Sequence, residues 1–238
     1  MQNGNVQRSL PGAVVPSKDE LRRYWRVVGI RALKYLARRP LVLIRHAEGR
    51  TFFHQQALPA MPESVHQLRI EKREGGEGVR VWVDSVDGLL GLVEMDVIEV
   101  HPWGTTVEDI EHPDLLVFDL DPDEGIEWRF VSATAVALRE ELQSRGYASW
   151  CKTSGGKGLH VMVPIERQWL WDKGRAWAKK FVEEFARRDS RYTTQSDLHL
   201  RPQHLFLDYL RNGRGTTTVG AFANRRTASG GEMSKNSS

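Results

Sequence analysis

One cysteine in 238 residues, Cys151, rules out an internal disulfide and a zinc site built on cysteine pairs. No apolar run approaches the roughly 18 residues needed to cross a bilayer, and mean hydropathy is −0.48. Met1 to Arg8 are polar and lack the apolar stretch of a secretory signal. No internal repeat is visible. These absences lead to the expectation of a cytoplasmic protein with no membrane partner. The 40% hydrophobic content suffices for one large domain or for two small lobes sharing a cleft.

Positive charge is missing from one long stretch. Between Val81 and Trp128 there is no Lys or Arg, against fourteen Asp and Glu. Lys18 to Arg50 holds ten Lys and Arg against three acids, and Arg201 to Gly231 holds five Arg against Asp208 alone. Solvated helix faces would explain any one block. Basic flanks around an acidic centre together suit a polyanionic substrate and a metal-binding core.

The acidic centre contains the run Leu115-Leu116-Val117-Phe118-Asp119-Leu120-Asp121-Pro122. It reads as a buried strand, in which alternate side chains share a face. Asp119 and Asp121 then point the same way at the end of an apolar element. Two carboxylates that close repel each other, and a divalent cation between them resolves the repulsion. Asp208 interrupts a second apolar run, Leu205-Phe206-Leu207. Three carboxylates on two strands suit two Mg²⁺ or Mn²⁺ ions about 4 Å apart, an arrangement for phosphoryl or nucleotidyl transfer.

A second constellation is Thr153-Ser154-Gly155-Gly156-Lys157-Gly158-Leu159-His160. Its glycines allow close backbone approach, so N–H groups can cradle phosphates. Lys157 adds a point charge, Ser154 a hydroxyl, and His160 opens the following strand. The Walker A pattern is not matched. A third is Arg211-Asn212-Gly213-Arg214-Gly215, followed later by Arg225 and Arg226, whose guanidinium forks match phosphate oxygens. Phe52 and Phe53, on extended chain, face opposite sides; core packing is the plain reading and base stacking the functional one.

Around these motifs, residues 1–16 read as a flexible arm and 227–238 as a disordered tail. Ser17 and Glu20 form a capping box for a helix that ends at Pro40. Strands are expected at Leu41–Ile44, Val79–Val83, Asp96–Val100, Trp150–Thr153, Leu159–Pro164 and His204–Leu210. Thr51–Gln55 reads as an extended piece and His101–Gly104 as a turn. Further helices are expected at Leu89–Met95, at about Trp128–Arg145 with Gly146 closing it, and at about Lys173–Arg188. From this pattern alone, α+β and α/β are both open.

With Asp119-Leu120-Asp121-Pro122, Ser154–His160 and Asp208-Tyr209 in this order, the chain resembles the polymerase domain of bacterial ATP-dependent DNA ligase D. That domain belongs to the archaeo-eukaryotic primase superfamily and acts in non-homologous end joining. The resemblance runs from about Ser17 to Arg226. It implies an α+β primase-polymerase fold, with an RRM-like catalytic sheet, an N-terminal α/β module and the active cleft between them. Residues 17–226 would form this two-lobed catalytic domain. It further implies that Asp119, Asp121 and Asp208 bind metal. Ser154, Lys157, His160, His101, Arg211, Arg214 and Arg225 would serve the incoming nucleotide. Phe52 and Phe53 would pack on the template base, and Lys18, with Arg8 near a second family lysine, would hold a DNA 5′-phosphate.

The activity so implied is addition of NTPs or dNTPs to 3′ ends at DNA gaps and double-strand breaks, with Mn²⁺ or Mg²⁺, in the cytoplasm on the nucleoid, beside Ku and a DNA ligase. No ligase or phosphoesterase segment is in the chain, so it reads as a stand-alone polymerase or an excised domain. The family continues past Arg226 where this sequence turns small and polar. The alternative is therefore a DNA-end-binding module that keeps the fold without activity. An aspartyl-phosphate phosphatase also ends an apolar strand in D-x-D. It requires Thr or Val where this chain has Asp123, and an Asp-Asp pair that is absent here.

Overall fold

The computed structural model describes residues 15–58, 60–197 and 202–223. The expected arm and tail, with Arg8, Arg225 and Arg226, fall outside these residues, apart from Val15 and Pro16. Two compact units emerge. One comprises the described residues up to Glu108 together with those from Thr217 on, and the other is Asp109–Thr216.

In the first unit, α1 (Lys18–Leu36) starts at Ser17 with the expected capping box. The Ser17 N–H donates to the Glu20 carboxylate at 2.8 Å, and the Glu20 N–H donates to the Ser17 hydroxyl at 3.3 Å. Its buried stripe is Leu21, Trp25, Gly29, Ala32 and Leu36, at helical spacing. The stripe faces α2 (Val86–Glu94), and a Cβ on Gly29 would lie 3.1 Å from Val86, so glycine permits the close approach. The start of α2 falls ahead of the expected Leu89, because the Ser85 hydroxyl accepts from the Gly88 N–H and caps the helix there.

The sheet of this unit contains β1 (Leu41–Ala47), β2 (Arg50–His54), β3 (His66–Glu71), β4 (Glu77–Trp82) and β5 (Val97–Pro102). β1 pairs antiparallel with β2 and β5, and meets β4 at Leu41 opposite Val81. The turn expected at His101–Gly104 starts later than the sequence suggests. His101 and Pro102 continue β5, paired with Val42 and Leu41. β3 was not expected at all. The chain re-enters this unit with Val219 and Ala223 in its core, and the Gly220 N–H donates to the Val100 carbonyl at 2.9 Å.

The second unit is an open sheet in the order β7 (Trp150–Thr153), β8 (Leu159–Pro164), β6 (Leu115–Pro122), β10 (Leu205–Asp208) and β9 (Tyr192–Thr193). All pairs are antiparallel except β10 with β9. Helices α3 (Trp128–Ser144) and α4 (Trp171–Ala186) share one core with the sheet. α3 contributes Val131, Ala135, Leu138 and Leu142; α4 contributes Ala178, Phe181, Val182 and Phe185. Each large side chain so buried is worth roughly 1.5–3 kcal/mol. As expected, α3 closes at Gly146, whose φ of 84° is left-handed. The Gly146 and Tyr147 N–H groups donate to the Gln143 and Leu142 carbonyls at 3.0 and 2.9 Å.

The strand residues facing these helices are Leu116, Phe118 and Leu120 of β6, Leu159, Val161 and Val163 of β8, and Leu205 and Leu207 of β10. Side chains alternate, so Asp119, Asp121, His160 and Asp208 all fall on the face away from the helices. The fold is thus mixed α+β with antiparallel sheets, and the face of the second sheet away from the helices carries these polar residues among the buried Val117, Met162 and Phe206.

Candidate active site

Strand register assembles a polar row across that face. Lys152 of β7 pairs with His160 of β8, His160 with Asp119 of β6, and Asp119 with Asp208 of β10. Asp121 lies two residues along from Asp119, opposite Phe206. Directly opposed side chains have Cβ atoms about 4.5–5.5 Å apart, and like charges so placed destabilise a sheet. Asp119 against Asp208 is therefore a cost of this sheet unless a cation offsets it.

Arg211 supplies part of that offset. Its Nε lies 3.0 Å from Asp208 Oδ2 and 3.8 Å from Asp119 Oδ2. Asp208 is only 5% exposed. Burial pushes its carboxyl above the ordinary range. Arg211 and the Leu210 N–H, which donates to Oδ1 at 2.7 Å, pull it back, while Asp119 and Asp121 add like-charge repulsion. Among the described residues, no three acidic, histidine or cysteine side chains converge as a ready metal cluster. The donor set nevertheless fits a hard divalent cation. It is three carboxylates on neighbouring strands, with a buried member whose negative charge is under-compensated.

Asn212, which the sequence analysis did not single out, fixes this arrangement. It is 1% exposed. Its Oδ1 accepts from the Val117 N–H at 2.7 Å, and its Nδ2 donates to the Val117 and Tyr209 carbonyls at 2.8 and 2.9 Å. The side chain thus extends the ladder between β6 and the turn that follows β10, and so ties Asp208 to Asp119.

The glycine loop is the hairpin between β7 and β8. The Ser154 N–H donates to the Gly158 carbonyl at 3.1 Å. The Ser154 hydroxyl accepts from the Gly158 and Gly156 N–H groups at 3.2 and 3.4 Å. Ser154 is buried and shapes the loop, while Lys157 stands exposed at the tip without an ion pair among the described residues. Gly158 is needed for close approach: a Cβ there would sit 2.1 Å from the Leu120 carbonyl oxygen. His160, 2% exposed, places Nε2 3.4 Å from Asp119 Oδ1 and Nδ1 2.7 Å from Lys152 Nζ.

Other expected residues are held elsewhere. Arg214 forms a bidentate pair with Glu111, Nε at 2.9 Å and Nη2 at 2.7 Å. His101, Lys18, Phe52 and Phe53 belong to the first unit. His101 Nε2 lies 3.2 Å from Glu99. Lys18 donates to the Glu94 carbonyl at 3.0 Å and pairs with Asp96 at 2.8 Å. Phe53 packs against the first core, whereas the half-buried Phe52 sets its ring 6.1 Å from that of His54.

With this geometry in place, likeness to known proteins decides the family. The model of the LigD primase-polymerase domain matches residues 17–231. The chain belongs to the LigD primase-polymerase family. The multifunctional non-homologous end joining protein LigD of Pseudomonas aeruginosa is 34% identical over 224 residues, covering 92% of this chain and 26% of that protein. The Mycobacterium tuberculosis non-homologous end joining DNA repair protein LigD is 26% identical over 233 residues, 93% of this chain and 31% of that protein. This LigD-family chain therefore spans about a quarter to a third of these relatives' length. In fold it is similar to the polymerase domain of M. tuberculosis ligase D, solved in complex with DNA. The TM-score is 0.83 at 24% identity, covering 95% of this chain and 84% of that one.

Proposed function

We propose that the chain is a metal-dependent nucleotidyltransferase adding NTPs or dNTPs to 3′ ends at DNA gaps and double-strand breaks during end joining. The observation that carries this reading is Asp208 opposite Asp119 across β10 and β6, with Asp121 on the same face. Those three carboxylates would hold two Mg²⁺ or Mn²⁺ ions, which when bound lower the pKa of the primer 3′-hydroxyl and offset charge on the triphosphate.

The chain's own groups do the rest. Lys157 presents an exposed point charge to phosphate oxygens from the tip of a hairpin whose shape Ser154 maintains. Arg211, half exposed beside Asp208, can fork onto phosphate oxygens where the carboxylates are otherwise neutralised. His160 faces Asp119 with Nε2 3.4 Å from Oδ1, beside the position the phosphates would take. In the first unit, Lys18 would take a DNA 5′-phosphate and Phe52 a base, setting register rather than reading sequence. Ku and a DNA ligase would act beside it at a break.

The test is a gapped, 5′-phosphorylated duplex given NTPs and Mn²⁺. Stepwise primer elongation is expected. Retention of the DNA end with no elongation in Mn²⁺ or Mg²⁺ would leave the alternative, an end-binding module without catalysis.

A further inference from the structure

We propose that Lys152 is a positioning residue that sets the tautomer and orientation of His160, so that His160 Nε2–H is aimed at Asp119 and at phosphate oxygens arriving beside it. The inference deepens the nucleotidyl-transfer reading and rests on it for its consequence in turnover, but not for its structural content.

The starting observation is the row Lys152, His160, Asp119, set by pairing across β7, β8 and β6. Lys152 Nζ lies 2.7 Å from His160 Nδ1. An ammonium has donors and no acceptor. Nδ1 must therefore offer its lone pair, and the ring hydrogen resides on Nε2. That nitrogen is 3.4 Å from Asp119 Oδ1, so the hydrogen points along the row toward the carboxylates. The ring is 2% exposed, so protein groups rather than bulk water decide its tautomer.

Two further features favour positioning over simple strand attachment. β7 is already joined to β8 through four register pairs, Trp150 to Thr153, and needs no side-chain tie to stay paired. A cationic donor behind Nδ1 also polarises the ring, which makes Nε2–H a stronger donor to an anion in front of it. Outer partners of metal-ligating histidines change activity by about 10–100-fold when removed, and the lower end of that range is the scale expected for Lys152 behind His160. The anion it suits is a non-bridging oxygen of the triphosphate or of the departing pyrophosphate.

The experiment uses the intact chain and long-range ¹H–¹⁵N spectra of its imidazoles, with the His160 signals assigned by their loss in His160→Gln. In the unmutated protein, and in Lys152→Arg, which keeps a donor, His160 should show the Nε2–H tautomer. In Lys152→Met its two nitrogens should shift toward averaged values. In primer extension, Lys152→Met should lower kcat by about tenfold while KM for NTP changes less than about twofold, with Lys152→Arg restoring part of the loss. A His160 hydrogen on Nδ1 in the unmutated protein overturns the inference, even if Lys152→Met fails to fold. Unchanged His160 signals in a folded Lys152→Met also overturn it. A tautomer change in a protein that extends no primer would refute the polymerase reading and leave the role of Lys152 standing.

Discussion

Asp208 carries the sharpest tension between stability and chemistry. Its carboxyl is buried beside two other carboxylates, and burial raises its pKa in the folded chain. The sign follows directly. A raised folded pKa means the fold binds the proton more tightly than the unfolded chain, so stability falls as pH rises through the window above the ordinary aspartate value. At neutral pH the ionised group is a cost. Asp208→Asn should therefore raise the melting temperature in chelator at neutral pH, with the gain fading below the ordinary aspartate range. It should also remove the upward shift that Mn²⁺ gives the unmutated chain by binding the folded state. Thermal melts with and without Mn²⁺ check both; a lower melting temperature in chelator at neutral pH would contradict the account. Asp119 and Asp121 were legible as a pair from strand alternation alone. Lys152 was not, because its significance depends on which residue of β8 it faces, and register is invisible in a single strand's sequence.

At the level of elements, β6 and β10 form the site only because their apolar faces are shared with α3 and α4, while Asn212 prolongs their pairing. Asn212→Ala removes both partners of Val117 supplied by that side chain, and buried groups left unsatisfied cost about 1–3 kcal/mol each. A loss of about 2–4 kcal/mol in urea denaturation is expected, together with weaker Mn²⁺ stabilisation as Asp208 loosens from Asp119. A loss within about 0.5 kcal/mol, the range of ordinary surface changes, would show that the clamp is unimportant. No sequence pattern revealed this clamp, since Asn212 and Val117 are 95 positions apart. Elements with a strong local signal were readable: the Ser17 capping box, the closure of α3 at Gly146, and the apolar runs of β6 and β8. β3 was missed because its inward face, alternating with exposed Gln67, Arg69 and Glu71, has only two apolar residues, Leu68 and Ile70, and buries only Ile70, too short a period to stand out. β9 was missed because two residues carry no period. β5 ran past its expected end because pairing with β1 overrode the turn tendency of His101-Pro102.

At the scale of the whole molecule, the family and the mixed α+β class were readable because ordered motifs span the chain. What the sequence left open is the local engagement of each basic residue. Arg214 is committed to Glu111, and Lys18 ties the start of α1 to Glu94 and Asp96. If Lys18 also anchors a DNA end, Lys18→Ala should weaken binding to 5′-phosphorylated ends more than to 5′-hydroxyl ends, since loss of its local ties affects both equally. Equal loss in paired binding titrations would assign Lys18 to stability alone. The central claim is that Asp119, Asp121 and Asp208 together hold the ions that drive nucleotidyl transfer. Its most direct test is primer extension in Mn²⁺ by the unmutated chain and by Asp119→Asn, compared at equal DNA occupancy. Removing a carboxylate that supports several kcal/mol of charge stabilisation should slow extension by about a hundred- to a thousandfold while DNA binding persists. Extension by Asp119→Asn at the unmutated rate would contradict the account.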